Sequence, residues 1–507
     1  MLVEVLILTI VCLYLVYRRS SSNHDYFKIR GIPYDKPKPI LGTLFQLVFS
    51  GKSIFDIMLN RYNKYNGKIY GVFDQNKPAY FIRDPELIKQ ITIKDFDHFA
   101  NHRSMFCEND QNLFAASLLF MKDSRWKDMR NILTPAFTGS KLRGMFQLMN
   151  EVALNALMHL DKQPEANTSQ GLEMDIKDFI TRYTNDIVAS TAFGLSVNSF
   201  ADKDNEFYRV GKMVTSFSLK SVFKLIMFVK FKRLFKWLDM DLFDKKSTKY
   251  FMSLVLDTMK YRQEHNINRP DMVQMLMEAQ ELSKQPNGNR TWSDVDIVGQ
   301  CFFFFFAGFD TSAGLSCFTI HELMENPEVQ EKLLQEIQEV DSELKGEPLT
   351  YESLMGMRYL EMVVRECLRK WPATVVVDRQ CNKDISYDLG DGLRMDLKPG
   401  DTVLLPIVGF HRDPQYFENP LKFDPERFSE ENKASINPFA YMPFGMGPRN
   451  CIGSRFALLE TKVLIYYLLR HYKFQPAAKS CIPMELKASG LQLTAKNGFW
   501  IKFVARS

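Results

Sequence analysis

The order of apolar and polar positions separates a short apolar start from a long body. Residues 1–17, MLVEVLILTIVCLYLVY, are apolar except for Glu4, and Arg18 and Arg19 follow at once. Such a run is at the short end of what crosses about 30 Å of hydrocarbon. A cleaved signal peptide carries its charges before the apolar run. Charges after the run therefore predict a retained signal anchor that leaves the body in the cytoplasm, with a buried terminal helix as the alternative.

Residues 18–42 predict a linker between this anchor and the body. The stretch is basic and contains IPYDKPKPILG, whose three prolines exclude a regular helix. Proline-rich segments of this kind are stiff and extended.

The body predicts mainly helix with a small β-sheet region. Helical periods dominate from about residue 85 to residue 362. Apolar runs around polar turns predict strands at 67–84 and 385–407, and a final hairpin in GLQLTAKNGFWIKFVA at 490–505.

The stretch 293–327 predicts one helix that begins with a capping box and ends before a proline. Its ~32 residues would cover about 48 Å, enough to cross a whole domain. In the middle, Ala307 and Gly308 remove side-chain bulk, and the Thr311 hydroxyl can bond back to the Ala307 carbonyl and open the helix. Asp310 is costly to bury there. Close helix packing with a tolerated threonine is the alternative.

A second membrane candidate lies at 219–243, LKSVFKLIMFVKFKRLFKWLDMDLF. Basic residues alternate there with aromatic and aliphatic ones, which is typical of a helix at a bilayer surface. A solvated basic helix face is the alternative.

Composition and charge exclude several classes of protein. The chain has 507 residues, of which 46% are hydrophobic, so a large buried core is expected. A formal net charge of +5 gives no argument for binding nucleic acid. The eight cysteines are scattered without a CxxC pair, which argues against a disulfide framework and a zinc ribbon.

One cysteine has an unusual setting. In FGMGPRNCIGSRFA, at 444–457, Cys451 precedes a strongly helical stretch, where the helix dipole favours a thiolate. Gly447 and Gly453 allow a tight turn that can lie against a flat group, and Arg449 adds positive charge. A lone cysteine is ordinarily a small buried hydrophobe. With no second ligand nearby, this setting instead favours a metal whose other positions are filled, as in haem.

These residues complete a known signature. Phe444, Gly447, Arg449, Cys451 and Gly453 match the FxxGxRxCxG pattern of the cytochrome P450 superfamily. Four further motifs match in order: WKDMR at 126–130, AGFDT at 307–311, ECLR at 366–369 and PERF at 425–428. The ExxR pair alone would not identify the family, because any helix surface can offer such a pair. Together the motifs resemble this family from about residue 31 to the C-terminus, which implies one mainly helical catalytic domain at 43–507.

Three stretches are most similar to the microsomal, xenobiotic-metabolising P450 enzymes of insects, and in particular to insect family 9: FFFFFAGFDTSA, TPAFTGSKLRGMF and NPFAYMPFGMGPRNCIGSRFA. The resemblance implies an endoplasmic reticulum enzyme, facing the cytoplasm, that oxidises lipophilic molecules such as plant toxins and insecticides. The inserted oxygen atom would come from O2. Electrons would come from NADPH through cytochrome P450 reductase, with cytochrome b5 as a further candidate donor. Alternatives are oxidation of an endogenous hormone or lipid, a peroxide isomerase, and a non-enzymatic haem-based gas sensor.

The resemblance also assigns roles to residues. Cys451 would be the axial ligand of haem b (iron protoporphyrin IX), and Asp310 and Thr311 would relay protons. Haem contacts are expected from Trp126, Arg130, Ala307, Arg379, Phe444, Gly445, Arg449 and Gly453. Glu366, Arg369 and Arg427 would form a structural ion-pair network. The substrate pocket is expected from Phe106, Phe114, Phe120, Phe306, Thr374, Val376 and Leu491. His102 stands where many relatives have an arginine for a haem propionate, and Arg103 could take that contact.

Overall fold

The structure is a computed structural model of the 507-residue chain. It describes residues 2–39, 41–43, 45–74, 76–103, 106, 112–215, 224, 227–228, 231, 235, 237, 244–269, 271–284, 290–488 and 492–506. The predicted membrane-surface helix at 219–243 lies outside the described residues except for six separate positions. Leu491 also lies outside them.

Helices make up most of the described chain, as the sequence predicts. They are α1 Leu2–Ser21, α2 Tyr26–Ile29, α3 Phe45–Phe49, α4 Ile54–Lys64, α5 Pro85–Lys89, α6 Asp123–Leu133, α7 Gly139–Asp161, α8 Ile176–Ala192, α9 Glu206–Thr215, α10 Lys245–Glu264, α11 Met272–Ser283, α12 Asp294–Glu325, α13 Pro327–Leu344, α14 Tyr351–Gly356, α15 Arg358–Lys370, α16 Ile407–His411 and α17 Ser454–His471. Short 3-10 turns include Thr134–Phe137 and Pro425–Phe428.

Nine described strands form three small sheets. They are β1 Ile69–Asp74, β2 Lys77–Ile82, β3 Leu172–Asp175, β4 Val377–Gln380, β5 Ile385–Asp388, β6 Arg394–Leu397, β7 Thr402–Leu405, β8 Tyr472–Pro476 and β9 Trp500–Ala505. The sheet orders are β1-β2-β7-β4, β3-β9-β8 and β5-β6. The predicted strand regions at 67–84 and 385–407 are confirmed, because β1 pairs antiparallel with β2 and β5 with β6.

The predicted final hairpin is wrong. Strand β9 pairs antiparallel with β8 and β3, not with the residues that precede it. Those residues contribute one isolated bridge, between Leu486 and Ala495. The alternating pattern predicts a strand, and one is present at Trp500–Ala505, but its partners come from distant parts of the chain, which a local pattern does not identify.

Helix α12 is the axis of the fold and confirms the long-helix prediction. Its capping box is present, with the Ser293 hydroxyl accepting from the Asp296 amide at 3.2 Å. Among the described helices, α12 is the one long and apolar enough to cross a membrane. Its most apolar stretch is 56% buried inside the protein, as a core helix would be.

Two hydrophobic clusters meet along α12. The first contains the sheets with α7, α8, α15, α17 and the second half of α12, from Ala313 onward. The second contains α6, α9, α10, α11 and the first half of α12, from Ile297 to Phe309. The AGFDTS segment at 307–312 lies where the two clusters adjoin, which positions it beside the site described below.

The predicted linker is partly folded onto the body. Helix α1 continues to Ser21, four residues beyond the predicted end of the anchor at residue 17. Phe27 is fully buried, and its ring lies where a side chain on Gly71 of β1 would be, 2.3 Å from an added Cβ. Tyr34 bridges to Gly71 of the same strand. The described residues from 32 to 43 contain no helix, as expected from the prolines, and the segment is held against the sheet.

Candidate functional site

A cavity of about 1180 Å³ lies between α12 and the loop that carries Cys451. Most of the site residues expected from the sequence line this one cavity. They are Phe120, Trp126, Arg130, Ala307, Thr311, Thr374, Val376, Arg379, Phe444, Gly445, Arg449, Cys451 and Gly453. They come from five separate stretches of the chain, between residues 120 and 453, so the fold brings together what the sequence disperses.

Backbone hydrogen bonds shape the loop around Cys451. The Cys451 amide donates to the Phe444 carbonyl at 2.8 Å, and the Asn450 amide donates to the Gly447 carbonyl at 3.0 Å. Gly445 and Gly447 have φ of +76° and +73°, in the left-handed region that glycine adopts without strain. A Cβ on Gly447 would be 2.0 Å from the Thr92 carbonyl oxygen, so no other residue fits there. The turn therefore delivers Cys451 to the start of α17 with its sulfur facing the cavity.

The protonation of Cys451 differs from the expectation drawn from the helix end alone. The cavity walls enclose the sulfur, and this burial raises the pKa of the thiol. The Gly453 amide and the Arg130 guanidinium act in the opposite direction but do not outweigh burial. A coordinated metal ion removes such a proton outright. The thiolate is therefore expected with a metal ligated, which suits a haem iron.

Three arginines, of which Arg379 and Arg449 are buried, give the cavity a cationic side. Arg449 is 8% exposed and donates to the carbonyls of Ala100 at 2.7 Å, Leu118 at 3.0 Å and Met121 at 2.6 Å. Its guanidinium also lies 4.2 Å from the centre of the Trp126 ring. Burial, with repulsion from the neighbouring Arg379 and Arg130, lowers the pKa of Arg449 to about 9.

Arg379 shows that this side of the cavity is suited to an anion. Its side chain is 1% exposed and donates to the carbonyls of Asp378 at 2.8 Å and Met446 at 3.2 Å. Its Nε has no hydrogen-bond partner among the described residues. Burial lowers the pKa of Arg379 to about 10. A buried cation with an unpartnered donor favours an anionic group, and the two propionates of haem would supply that charge.

Arg130 completes the cationic side from α6. It donates to the carbonyl of Asn450 at 2.9 Å and to its side-chain oxygen at 3.0 Å. Because Asn450 precedes Cys451, Arg130 holds the ligand loop while its charge faces the sulfur. Trp126 lies one helical turn earlier on α6, on the same face.

His102 and Arg103 are both on the cavity wall, but their charges face carboxylates. Arg103 donates from Nη1 to Asp74 at 2.7 Å, and its Nε lies 3.5 Å from Asp378. His102 Nδ1 lies 3.5 Å from the other Asp378 oxygen. Burial lowers the pKa of His102 in spite of this carboxylate. Arg103 therefore already has two counter-ions, which leaves it less suited than Arg379 to a propionate.

The structure separates the two residues expected to relay protons. The Thr311 hydroxyl donates to the Ala307 carbonyl at 2.5 Å, as predicted, and the residue is exposed to the cavity. Asp310 is not on the cavity wall and accepts from Lys177 Nζ of α8 at 2.6 Å. Burial acts to lower the pKa of Lys177, but the Asp310 charge raises it overall. Asp310 is thus part of an ion pair between α8 and α12, beside the threonine.

Glu366, Arg369 and Arg427 meet in the core, away from the cavity. The Glu366 carboxylate accepts from Arg369 at 2.7 and 2.8 Å, and Arg427 Nε approaches it at 3.4 Å. Glu366 and Arg369 are fully buried. Arg369 also donates to the carbonyls of His411 and Pro420. The network joins α15 to the segments that lead to the cysteine loop.

The aromatic wall differs from the predicted one. Phe106, Phe114 and Phe306 pack on one another, with ring centres 6.0 Å apart for the first pair and 5.1 Å for Phe114 and Phe306, and none of them lines the cavity. Phe303 and Phe304 line it instead. The sequence held a signal for this, because 303 and 304 precede Ala307 by one helical turn and so share its face. The role of the three clustered rings against substrate stays a prediction.

Comparison with known proteins agrees with this geometry. The family model described as Cytochrome P450 matches residues 32–502. The chain is 56% identical over 519 residues to "Probable cytochrome P450 9f2" of Drosophila melanogaster, with 100% of both chains covered. It is 40% identical to "Cytochrome P450 9e2" of Blattella germanica, over 97% of this chain and 96% of the relative. It is 33% identical to "Cytochrome P450 3A11" of Mus musculus, over 96% and 94%.

These matches and the site agree on one cofactor chemistry. The lone cysteine on the cavity wall suits an iron that needs one protein ligand, and the buried arginines suit two carboxylates. Membership of this family implies such a haem–thiolate centre and the general role of a haem monooxygenase. The chain belongs to the cytochrome P450 family.

Proposed function

We propose that this protein is a membrane-bound monooxygenase that oxidises lipophilic foreign molecules, with electrons taken from NADPH through cytochrome P450 reductase. The observation that carries the proposal is the apolar part of the cavity wall. It includes Phe120, Phe303, Phe304 and Val376.

A wall of this kind discriminates weakly among substrates. Each methylene in an apolar pocket changes binding by only about 1–3 kcal/mol. Strong selection for one hormone or lipid would need buried polar groups matched to it. Thr374 is the polar residue expected from the sequence in this part of the wall. Detoxification of varied compounds therefore suits the cavity better than biosynthesis of a single product.

Some residues of the cavity would bind the cofactor, and another would hold a proton for the reaction. Cys451 would ligate the iron, and Arg130, Arg379 and Arg449 would face the propionates. When bound, haem supplies the iron at which oxygen is activated. The Thr311 hydroxyl, which is hydrogen-bonded to the Ala307 carbonyl, would hold a proton at the cavity wall. The apolar walls would exclude bulk water and orient the substrate.

Helix α1 supports attachment to the endoplasmic reticulum membrane. Its apolar side chains are 46% to 88% exposed, from Val11 to Leu2, so the protein itself does not cover them. The largely apolar run 5–17 covers about 20 Å of helix, less than the about 30 Å of hydrocarbon. The attachment we infer has this run within the apolar layer and Arg18 and Arg19 at the cytoplasmic headgroups.

A substrate panel tests the proposal. The full-length chain, loaded with haem and placed in vesicles with the reductase, is given plant toxins, insecticides, insect hormones and fatty acids, and product per NADPH is measured. Turnover of several unrelated lipophiles with modest affinity is expected. A single tight substrate would replace detoxification with biosynthesis. Haem and ligand binding without NADPH-dependent product would contradict the monooxygenase role and favour a sensor.

A further inference from the structure

One part of the cavity wall is a loop rather than a helix or strand. Residues 112–121, which we call the wall loop, precede α6 and contain neither element. Leu118, Leu119 and Phe120 of this loop line the cavity. Because such a loop satisfies only part of its backbone hydrogen bonds internally, its position depends on the groups that bind it from outside. Those groups therefore determine the shape that this part of the cavity offers to a substrate.

Gln300 of α12 is the first of these groups, and its side chain is fully buried. Its Oε1 accepts from the Leu118 main-chain amide at 2.8 Å, and its Nε2 donates to the Ala116 carbonyl at 2.7 Å. Nε2 also donates to the Asp296 carbonyl of the same helix at 2.9 Å. The amide thus makes three of the four hydrogen bonds open to it, and two of them hold the wall loop on either side of Ser117.

Arg449 is the second group, and it binds the wall loop from the segment that carries Cys451. It donates to the carbonyls of Leu118 at 3.0 Å and Met121 at 2.6 Å. The main chain of Leu118 is therefore held twice, at its N–H by α12 and at its carbonyl by Arg449. Loss of the Gln300 bonds would leave the Arg449 bonds in place. The cofactor side of the cavity should accordingly depend little on Gln300.

Gly299 shows how closely the wall loop lies against α12. A Cβ at this position would be 2.9 Å from the Ala116 Cβ and 2.9 Å from the Leu113 carbonyl oxygen. Atoms do not pack at such distances, so an added side chain would displace the loop. Helix α12 thus has a glycine where the loop comes closest and, at the next position, the amide that binds it. Gln300 itself does not line the cavity.

We propose that Gln300 is a positioning residue that determines substrate specificity by fixing the wall loop, without touching the substrate. The inference rests on the proposed function, because it concerns which lipophilic molecules the cavity admits. With both Gln300 bonds made, Leu118, Leu119 and Phe120 present one fixed surface. Without these bonds the loop leaves that position for part of the time. The apparent affinity of a ligand that needs the surface then falls in proportion.

Two ligands of different size test the position of the wall. Imidazole is small and binds the haem iron, whereas clotrimazole binds through the same ring and carries three aryl rings that must fit within the cavity. Kd is measured for each from the shift of the Soret band of the haem-loaded, full-length protein. Gln300→Met keeps the size of the side chain without its amide. It should raise Kd of clotrimazole about fivefold and that of imidazole less than about twofold. An unchanged ratio of the two Kd values would overturn the proposal.

Gln330→Met is the matched control. Gln330 of α13 is also buried, and its Nε2 donates to the carbonyls of Leu323 at 2.8 Å and Phe474 at 3.0 Å. Its Oε1 accepts from the Phe474 amide at 2.9 Å, so it binds β8 as Gln300 binds the wall loop, away from the cavity. This variant should lower Tm about as much as Gln300→Met and leave the Kd ratio unchanged. An equal change of the ratio in both variants would indicate general loosening and overturn the proposal.

A second variant decides the question if Gln300→Met does not fold. Gly299→Ala keeps the Gln300 amide, favours the helix and displaces the wall loop by steric contact. It should raise the ratio of the clotrimazole Kd to the imidazole Kd. Gly314→Ala, on the same helix with open space around the added methyl group, should not. Equal ratios in these two alanine variants would overturn the proposal.

The outcomes separate this inference from the proposed function, because binding of the two ligands needs no turnover. A changed ratio without product from any lipophile would support the role of Gln300 and contradict the monooxygenase. Product formation with an unchanged ratio would contradict the role of Gln300 alone.

Discussion

Replacing Glu366 by glutamine should lower the stability of the protein more than the loss of an exposed ion pair does. The Glu366 carboxylate accepts from Arg369 at 2.7 and 2.8 Å and from the Asp424 amide at 2.9 Å, with Arg427 at 3.4 Å. Glutamine keeps the shape but removes the charge and turns one acceptor into a donor. Two guanidinium groups then share a site without a counter-ion, one of them fully buried.

The size of the effect follows from burial. Removing one partner of a buried ion pair costs about 3–5 kcal/mol. Arg369 keeps its bonds to the carbonyls of His411 and Pro420, which favours the lower end of that range. The unfolding entropy of a domain of this size is about 1 kcal/mol/K, from about 2.1 cal/mol/K per residue. The expected decrease in Tm is therefore about 3–5 °C.

The assay follows the thiolate form of the ferrous carbonyl complex as haem-loaded protein is heated at one fixed rate. The control is Glu352→Gln, which breaks a pair with Arg143 of similar length, 2.6 Å, in which both side chains are 63% exposed. Exposed pairs contribute about 0–1 kcal/mol, so the control should lower Tm by about 1 °C or less. Equal decreases in the two variants would show that burial of the Glu366 network does not set its contribution.

Four further outcomes are expected. Cys451→Ser should abolish the red-shifted Soret band of the ferrous carbonyl complex, and a variant that keeps the band would reject Cys451 as the iron ligand. Thr311→Ala should still bind haem and substrate but convert more NADPH to peroxide; unchanged product per NADPH would return Thr311 to helix packing. Phe304→Ala should change the product mixture more than Phe306→Ala, because only the first ring lines the cavity; the reverse order, measured by chromatography, would contradict that placement. Removal of residues 1–20 should leave salt-sensitive membrane binding, and a wholly soluble product at low salt would exclude a second membrane contact.

Features encoded within a short stretch could be predicted from the sequence. The capping box and apolar run of α12, the bond from Thr311 to Ala307 and the turn before Cys451 each depend on neighbours a few positions away. Such features depend on hydrogen bonds and side-chain volumes of residues that are close in sequence. They can therefore be predicted without knowing the fold.

Features that depend on distant partners could not be read in this way. The sequence predicts that Asp310 relays protons with Thr311, but Asp310 is paired with Lys177 of α8, 133 positions away. The last strand was paired with its neighbour in sequence, whereas its partners are β8 and β3. The sequence offers Arg103 as a contact for a propionate, whereas its guanidinium lies beside Asp74 and Asp378. In each case a charge or strand edge was satisfied from elsewhere in the chain.

The bonds of Arg449 have a consequence for the order in which the protein can be made. Its three carbonyl partners, at Ala100, Leu118 and Met121, are 349, 331 and 328 positions earlier in the chain. During synthesis these carbonyls leave the ribosome long before the arginine that they accept from. Contacts of such separation form slowly, because a long loop must close first. The haem pocket is thus completed only when the last tenth or so of the chain has emerged, and a chain cut short before Arg449 would have its early segments folded around an unfinished cofactor site.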